Sequence, residues 1–541
     1  MGLSEWASRV DGDPTVTDYD VIVIGAGHNA LVAAGYIARA GYKVGIFERR
    51  HVVGGAVVTE EHVPGFQFDL GGSAHLLINS TPIVDDLHLA NYGLDYIDID
   101  PLFFAPFPDG THFTIWRDVD QTCQSIATFS EHDAEAYRKF IDDWMPLARG
   151  MVEAFNAPPP PVNFVRHIGL HTGTHQPWEH RLRDILGGYG PLLRRTFESE
   201  QVPALIAWMA AQSGPPPTEA LSAPFALWHP MYHVGGMRRP RGGSGMLTQA
   251  LARMIEDHGG AIHLNSAVAS ILVESGRACG IETQDGQRAT ARAIVSGAHI
   301  YTTLGMLAEE AVSGSDRALV EKSRVGNGFG FVVRYAVEEL PDYTALPSPA
   351  DGASGYHHRA MQFICPSLDY LDRAYADYMA GRPSTDPALI SMTWTAVDPT
   401  LAPEGKHVMF IWGQYYPYEL ASGEHWDDIA EREADRLLNK LAEYAPNVKG
   451  AVIDKLIETP VFLERTLGLL RGNVMHLEMS VDQMFMMRPA LTMSSYRGPV
   501  KGLYLTGAST HPGGGIMGAS GRNAALTLLS DLSSPFRQFA R

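Results

Sequence analysis

The stretch from Tyr19 to Glu48 constrains this chain more than any other. An apolar run, Tyr19 to Ile24, leads straight into Gly25-Ala26-Gly27-His28-Asn29-Ala30, and a helical pattern runs from about Asn29 to Ala40. Gly41 stops that helix, as glycine does at C′ positions, and a second apolar run covers Lys43 to Glu48. Strand, glycine turn, helix, strand is a βαβ unit, which requires parallel pairing and a right-handed crossover. Each small residue in the turn has a task. Gly25 permits the tight bend, Gly27 lets a pyrophosphate approach the backbone, and Ala30 allows close packing of helix on strand. His28 and Asn29 open a helix whose free N–H groups and partial positive charge favour phosphate. Glu48, 23 residues after Gly25, ends the second strand, where a carboxylate accepts hydrogen bonds from ribose hydroxyls and repels a 2′-phosphate. The expected ligand is a dinucleotide other than NADP.

The next residues narrow the choice. Gly54-Gly55-Ala56 follows the acidic position closely. An NAD site has no need of that doublet, whereas it lets the backbone pass beside the flavin half of FAD. Arg49 is a candidate to neutralise phosphate charge. Phe66 to Ser73 brings a further glycine pair, with Gly72, toward the ligand, and Asp69 is read as organising that loop rather than as catalytic. No second strand-GxGxxG-helix unit follows, so a tightly held nicotinamide is not expected.

Bulk properties exclude several other classes. The net charge of -19 over 541 residues argues against a nucleic-acid partner, because phosphate binding needs a basic surface. The three cysteines, Cys123, Cys279 and Cys365, form no CxxC pair and read as buried apolar groups in a reducing compartment. The 22 histidines include no helical HxxxH with a third ligand. His229 and His233 are four apart, but Pro230 between them opposes a helix, so no metal is expected. Neither a signal peptide nor a run of about 18 apolar residues is visible. The expected location is cytoplasmic, with a surface contact to a membrane left open; oligomeric state is unread.

Along the chain, residues 130 to 235 read as helices broken by loops, with a stiff proline run at Pro158 to Pro161. A helix is expected over Met246 to His258, then strands at Ala261–Leu264, Ala267–Glu274, Cys279–Thr283 and Ala293–Ser296, with a hairpin at Asp285-Gly286. Further strands are expected at Phe329–Val337, Leu389–Val397 and His407–Tyr415, and a helix at Trp426–Tyr444. The last unit is a strand, Gly502–Thr506, a glycine-rich turn, and a helix from about Gly518 to Leu529. The expected fold is α/β and α+β: a Rossmann FAD domain with an inserted mixed sheet-and-helix substrate domain. The FAD domain is assigned to 15–85, 235–305 and 495–541, and the substrate domain to 86–234 and 306–494.

These motifs together resemble the phytoene desaturase and carotenoid isomerase branch of FAD-dependent oxidoreductases. Beyond residues 21–68, the likeness is carried by Arg239-Pro240-Arg241-Gly242-Gly243, by Asn473-Val474-Met475-His476 with Asp482 to Phe485 and Arg488-Pro489, and by Gly502 to Gly507 running on through His511-Pro512-Gly513-Gly514-Gly515. The resemblance implies roles that spacing alone does not. Val268 would contact the adenine through its backbone, Gly507 and Ala508 would lie along the ribityl chain, and Gly515, Ile516 and Met517 would lie near the isoalloxazine. An acid often stands at the place of Ala508, so ribityl binding here is expected to use backbone groups.

Disulfide chemistry is excluded, because there is no CxxxxC pair. The function expected is removal of a hydride from a carbon-carbon unit of an apolar, isoprenoid-like substrate, with electrons passing on to oxygen, a quinone or a protein. Polyene isomerisation at reduced flavin and a low-turnover FAD-containing interaction protein remain alternatives. The catalytic acid or base is unread; His511, Arg465 and His75 are the candidates. The segment from Asn473 to Arg488, rich in Met and Phe, is expected to form one wall of an apolar cavity.

Overall fold

The computed structural model describes residues 17–159, 178–349 and 354–533. It shows a mixed α/β fold. The opening unit is strand β1 (Tyr19–Ile24), helix α1 (His28–Arg39) and strand β2 (Val44–Phe47). β1 pairs in parallel with β2 on one side and with Arg288–Ser296 on the other. β2 continues to Ala261–His263. The long strand Arg288–Ser296 serves two partners: its first half pairs antiparallel with Arg277–Thr283, and its second half pairs in parallel with Leu503–Leu505. Val268–Glu274 completes this seven-stranded sheet. Segments far apart in sequence are thereby set side by side, so the Gly25 turn and the Gly507 turn leave the same edge of one sheet.

The apolar runs explain this sheet. Val21, Ile22 and Val23 are fully buried, as expected of a parallel strand covered on both faces. Burying each such side chain is worth roughly 1.5–3 kcal/mol. α1 is buried on most of its surface because it lies between the sheet, the helix Met246–Asp257 and the final helix Ala519–Ser533. Its small residues permit this. A Cβ on Gly521 of the final helix would collide with the carbonyl of Asn29.

A second seven-stranded sheet runs in the order Val452–Glu458, Gly328–Val337, His407–Pro417, Leu389–Met392, Met361–Ile364, Phe103–Pro106, His112–Ile115. Its neighbours are antiparallel except Met361–Ile364 with Phe103–Pro106. One apolar cluster joins this sheet to the helices Glu131–Phe155 and Gln201–Ala211, and another lies under Trp426–Ala442. Gln201–Ala211 is apolar all round and almost wholly buried, the pattern of a central core helix.

Several sequence expectations need adjustment. Phe66 to Ser73 is not a free loop: Phe66–Gly71 pairs with Val57–Val63 as a hairpin. The strand expected over Leu389–Val397 stops at Met392, and Trp394–Ala396 forms a 3-10 turn instead. Strands at 96–99, 103–106 and 112–115 carry little sequence signal, because each is only four residues long and next to a proline or charge. Pro230 breaks the spacing of His229 and His233, as expected, and caps a short helix, Met231–Gly235. Both rings nevertheless reach the Tyr137 hydroxyl, at 2.9 and 2.8 Å. Of the proline run, Pro160 and Pro161 lie outside the described residues.

Candidate functional site

A cavity of about 1080 Å³ runs from the Gly25 turn to the face of the second sheet. This exceeds the roughly 300–1,000 Å³ of a pocket for one drug-sized ligand, so a dinucleotide and a second molecule can share it. Gly25, Gly27, His28, Asn29 and Ala30 line it, as do Glu48, Arg49, Gly55, Ala56, Gly72 and Val268. From the last unit come Gly507, Ala508, Gly515, Ile516 and Met517. Of the residues expected to hold the cofactor, only Gly54 is set back; its N–H donates to the Ala26 carbonyl at 2.8 Å.

The cleft is made by close approach of backbones. Gly25, Gly54 and Gly55 all have positive φ, a region that favours glycine. A Cβ on Gly55 would sit 3.0 Å from the Gly27 Cα, and one on Gly72 would sit 2.7 Å from Ile516. Glu48 is buried, and its carboxylate accepts the N–H of Ala26 at 2.7 Å and that of Arg50 at 2.8 Å. The first helical bond of α1 runs from Leu31 N–H to the Gly27 carbonyl, so the N–H groups at positions 28 to 30 remain for a ligand. Opposite them, Ser520 on the final helix accepts from Gly507 N–H at 3.0 Å and meets the Thr510 hydroxyl at 2.6 Å.

Two arginines flank the outer end. Arg49 lines the cavity but is exposed, and donates to the Thr466 carbonyl at 3.0 Å. Arg50, which sequence reasoning passed over, also lines it. One of its Nη atoms pairs with Glu60 at 2.6 Å, while the other is buried without a partner. A buried guanidinium nitrogen without a partner, on a residue that lines the cavity, is the arrangement an anionic ligand completes. These features fit the diphosphate and ribose of FAD.

The other end is lined mainly by carbon, with Gln212, Ser213 and Tyr232 as polar exceptions. Met151, Phe155, Met209, Trp228, Phe410 and Trp412 contribute, with Val474, Met475, Met479, Val481, Met484 and Phe485 forming the expected wall. Met487 of the same run points to solvent. The charged side chains on the cavity lining are Glu48, Arg49 and Arg50, all at the nucleotide end. Sequence reasoning passed over His299 and named His476 only as part of a motif and of the expected wall; both line the cavity. Burial holds the His299 ring at about 4 and His476 well below the usual histidine range, and holds His28 at about 4 against a raising contact with the Gly515 backbone.

The three catalytic candidates from sequence do not open onto this cavity. Arg465 is 67% exposed and pairs with Asp427 at 3.2 Å, because it sits on a surface turn. His75 is sealed between the Tyr96 hydroxyl at 2.7 Å and the Ser244 hydroxyl at 2.9 Å. His511 is buried with Nε2 against the Ala154 carbonyl at 3.0 Å. Arg488 is likewise structural. Its guanidinium donates to the carbonyls of Ala508, Glu478, Gln483, Met475 and Leu477, and burial brings it down to about 9. Asp69 does organise its surroundings: it pairs with buried Arg239 and accepts the Ser244 N–H at 2.8 Å.

Among the described residues, His132, Asp133 and Glu198 approach one another closely enough to share an ion. Asp133, however, already accepts the N–H groups of Glu198 and Ser199 at 2.8 and 3.0 Å.

Comparison with known proteins matches residues 31–318 to the family of flavin-containing amine oxidoreductases. The chain is 34% identical to pyridine nucleotide-disulfide oxidoreductase domain-containing protein 2 of Rattus norvegicus, over 96% of this chain and 94% of that one. It is 31% identical to a limonene dehydrogenase component of Castellaniella defragrans, over 96% and 95%. A lycopene-forming phytoene desaturase of Pseudescherichia vulneris is 24% identical over 94% and 99%. Among solved structures, cyclohexylamine oxidase from Brevibacterium oxydans has a similar fold, with a TM-score of 0.55 at 15% identity, over 96% and 100% of the two chains.

Proposed function

This chain belongs to the flavin-containing amine oxidoreductases, and from that premise we propose that it dehydrogenates a carbon-carbon unit of a long apolar substrate. It is an FAD-dependent oxidoreductase; the finer reading concerns what it oxidises. One observation carries it: beyond the nucleotide end the cavity wall is mainly Met, Phe, Trp, Leu and Val, its polar side chains Gln212, Ser213 and Tyr232 are uncharged, and no carboxylate, lysine or arginine is among the described lining residues there. The ammonium of an amine or the carboxylate of an amino acid calls for a charged partner in a buried site. A hydrocarbon does not. Relatives named for limonene and phytoene as substrates agree with this reading.

The cofactor residues take the following roles in it. The α1 N-terminus, Gly27 and Arg50 hold the diphosphate, Glu48 the adenosine ribose, and Val268 the adenine. Gly507 and Ala508 lie along the ribityl chain, and Gly515 to Met517 lie at the ring, with the final helix directing its N-terminal partial charge there. The FAD supplies an acceptor for a hydride. The protein positions the substrate carbon and excludes water. The glutathione-reductase-type domain and its division from the inserted substrate domain belong to the same reading.

Leu182, Leu186 and Val481 line the cavity and are 44%, 49% and 43% exposed, so they mark the mouth through which an apolar molecule enters. The test is product analysis. Incubation with terpenoid hydrocarbons and an artificial electron acceptor should yield products two hydrogens lighter. Turnover of amines but of no hydrocarbon would overturn the proposal.

A further inference from the structure

We propose that His476 binds the stretch of FAD between diphosphate and ring, donating a hydrogen bond from Nε2 beside the backbone of Ala508. The inference rests on the FAD reading of the cleft.

Much of the wall at Gly507 is already committed. The Gly507 N–H goes to Ser520 and its carbonyl accepts from Thr510. The Ala508 carbonyl accepts Arg488 at 2.9 Å, and the Ser509 hydroxyl oxygen accepts the N–H of Ile300 at 3.1 Å. The side chain of Ala508 offers only a methyl group, so beyond the Ala508 N–H a buried polyol or phosphate there needs a further polar partner.

His476 stands at this place with one nitrogen to spare. Its Nδ1 lies 3.0 Å from the Ser509 Oγ. The Ser509 hydroxyl proton has no other acceptor among the described residues, so it points to Nδ1, and the imidazole proton sits on Nε2. The ring lines the cavity, and Nε2 has no partner among the described residues. A Cβ on Gly507 would lie 3.9 Å from His476 Cε1, so the ring stands beside the Gly507 turn.

The placement is held from both sides. His299 Nδ1 accepts the N–H of Tyr301 at 3.1 Å, which leaves its Nε2–H to donate to the His476 carbonyl at 3.0 Å. His476 has φ of 63°, unusual for a residue with a side chain, and these two contacts keep it there. The neighbouring His28 cannot substitute, because its ring is engaged by Asn29 at 3.1 Å and by the Gly515 backbone. Burial keeps the His476 ring neutral at pH 7, so it acts as a donor of one proton and brings no charge.

The test compares three variants, each prepared as apoprotein and titrated with FAD by quenching of flavin fluorescence. His476→Asn tolerates positive φ and can keep the Ser509 contact, but it is too short to reach the Nε2 position. His476→Gln places an amide N–H near Nε2. Glu48→Ala reports on the adenosine end. The expected result is a loss of FAD affinity of about tenfold or more for His476→Asn, with His476→Gln within about threefold of the parent, and unchanged thermal unfolding of both apoproteins. Parental affinity in His476→Asn, or an equal loss in both histidine variants, would overturn the proposal. If His476→Asn binds normally while Glu48→Ala does not, only the His476 assignment fails. If neither change weakens binding, the cofactor reading of the cleft fails with it.

Discussion

Glu48 ties the glycine turn to the second strand through two backbone N–H groups and keeps acceptor capacity for a ribose. Removing it deletes charge-assisted bonds worth roughly 1.5–3 kcal/mol each. Glu48→Ala should therefore lower FAD affinity by about tenfold or more with the fold retained, and parental occupancy after dilution and gel filtration would refute that. Arg465→Ala should leave turnover within about twofold, since an exposed ion pair contributes about 0–1 kcal/mol; a steep loss of rate would return Arg465 to the chemistry. Histidines give the pH dependence. Burial lowers His75 to about 3 and His28, His299 and His511 to about 4, whereas an unfolded histidine titrates near 6.5. The unfolded chain thus takes up protons first. Stability is complete above about pH 6.5 and falls toward pH 4, by more than about 1 kcal/mol per pH unit for each histidine. The urea midpoint at saturating FAD should be lower at pH 5 than at pH 7.5; equal midpoints would contradict the sign.

At the scale of elements, two contacts hold the cleft together. The first is the pair of helices that meets at Gly521 and Asn29, where added volume strikes backbone. Gly521→Val should destabilise the protein by about 1–3 kcal/mol or more and release FAD, seen as a lower unfolding temperature and loss of yellow colour. The second is Arg334 with Glu458, a buried pair at 3.1 Å whose arginine also reaches the Ser73 hydroxyl and the Gly71 carbonyl. It ties the second sheet to the hairpin that carries Gly72. Glu458→Ala leaves that arginine uncompensated and should cost about 3–5 kcal/mol; a loss below about 1 kcal/mol in chemical denaturation would show that the pair is not needed. The βαβ unit was legible in sequence because its apolar runs, glycines and acid obey one local geometry, and Tyr19–Ile24 falls where expected. The last strand and helix were legible for the same reason. The hairpin at 57–71 was obscured by its glycines, which served two roles at once. The roles of His299 and of the free nitrogen of Arg50 were not legible at all, and His476 was legible only as a motif residue on an expected cavity wall. Their meaning comes from contacts spanning more than thirty residues or from a missing partner, and neither leaves a local pattern. Arg465 misled because a motif position says nothing of exposure.

For the whole molecule, the account rests on one cavity with a polar nucleotide end and a carbon-lined far end. No helix among the described residues is long and apolar enough to cross a membrane. In the proposed function an apolar substrate enters at the mouth marked by Leu182 and Leu186. Replacing both with Asp should raise KM for a hydrocarbon while leaving FAD content unchanged; an unaltered KM would place the entrance elsewhere. The most direct measurement is anaerobic reduction of the bound flavin, followed by its visible absorbance, with terpenoid hydrocarbons and with primary amines in parallel. The account predicts bleaching by a hydrocarbon and none by the amines. Bleaching by amines alone would contradict it.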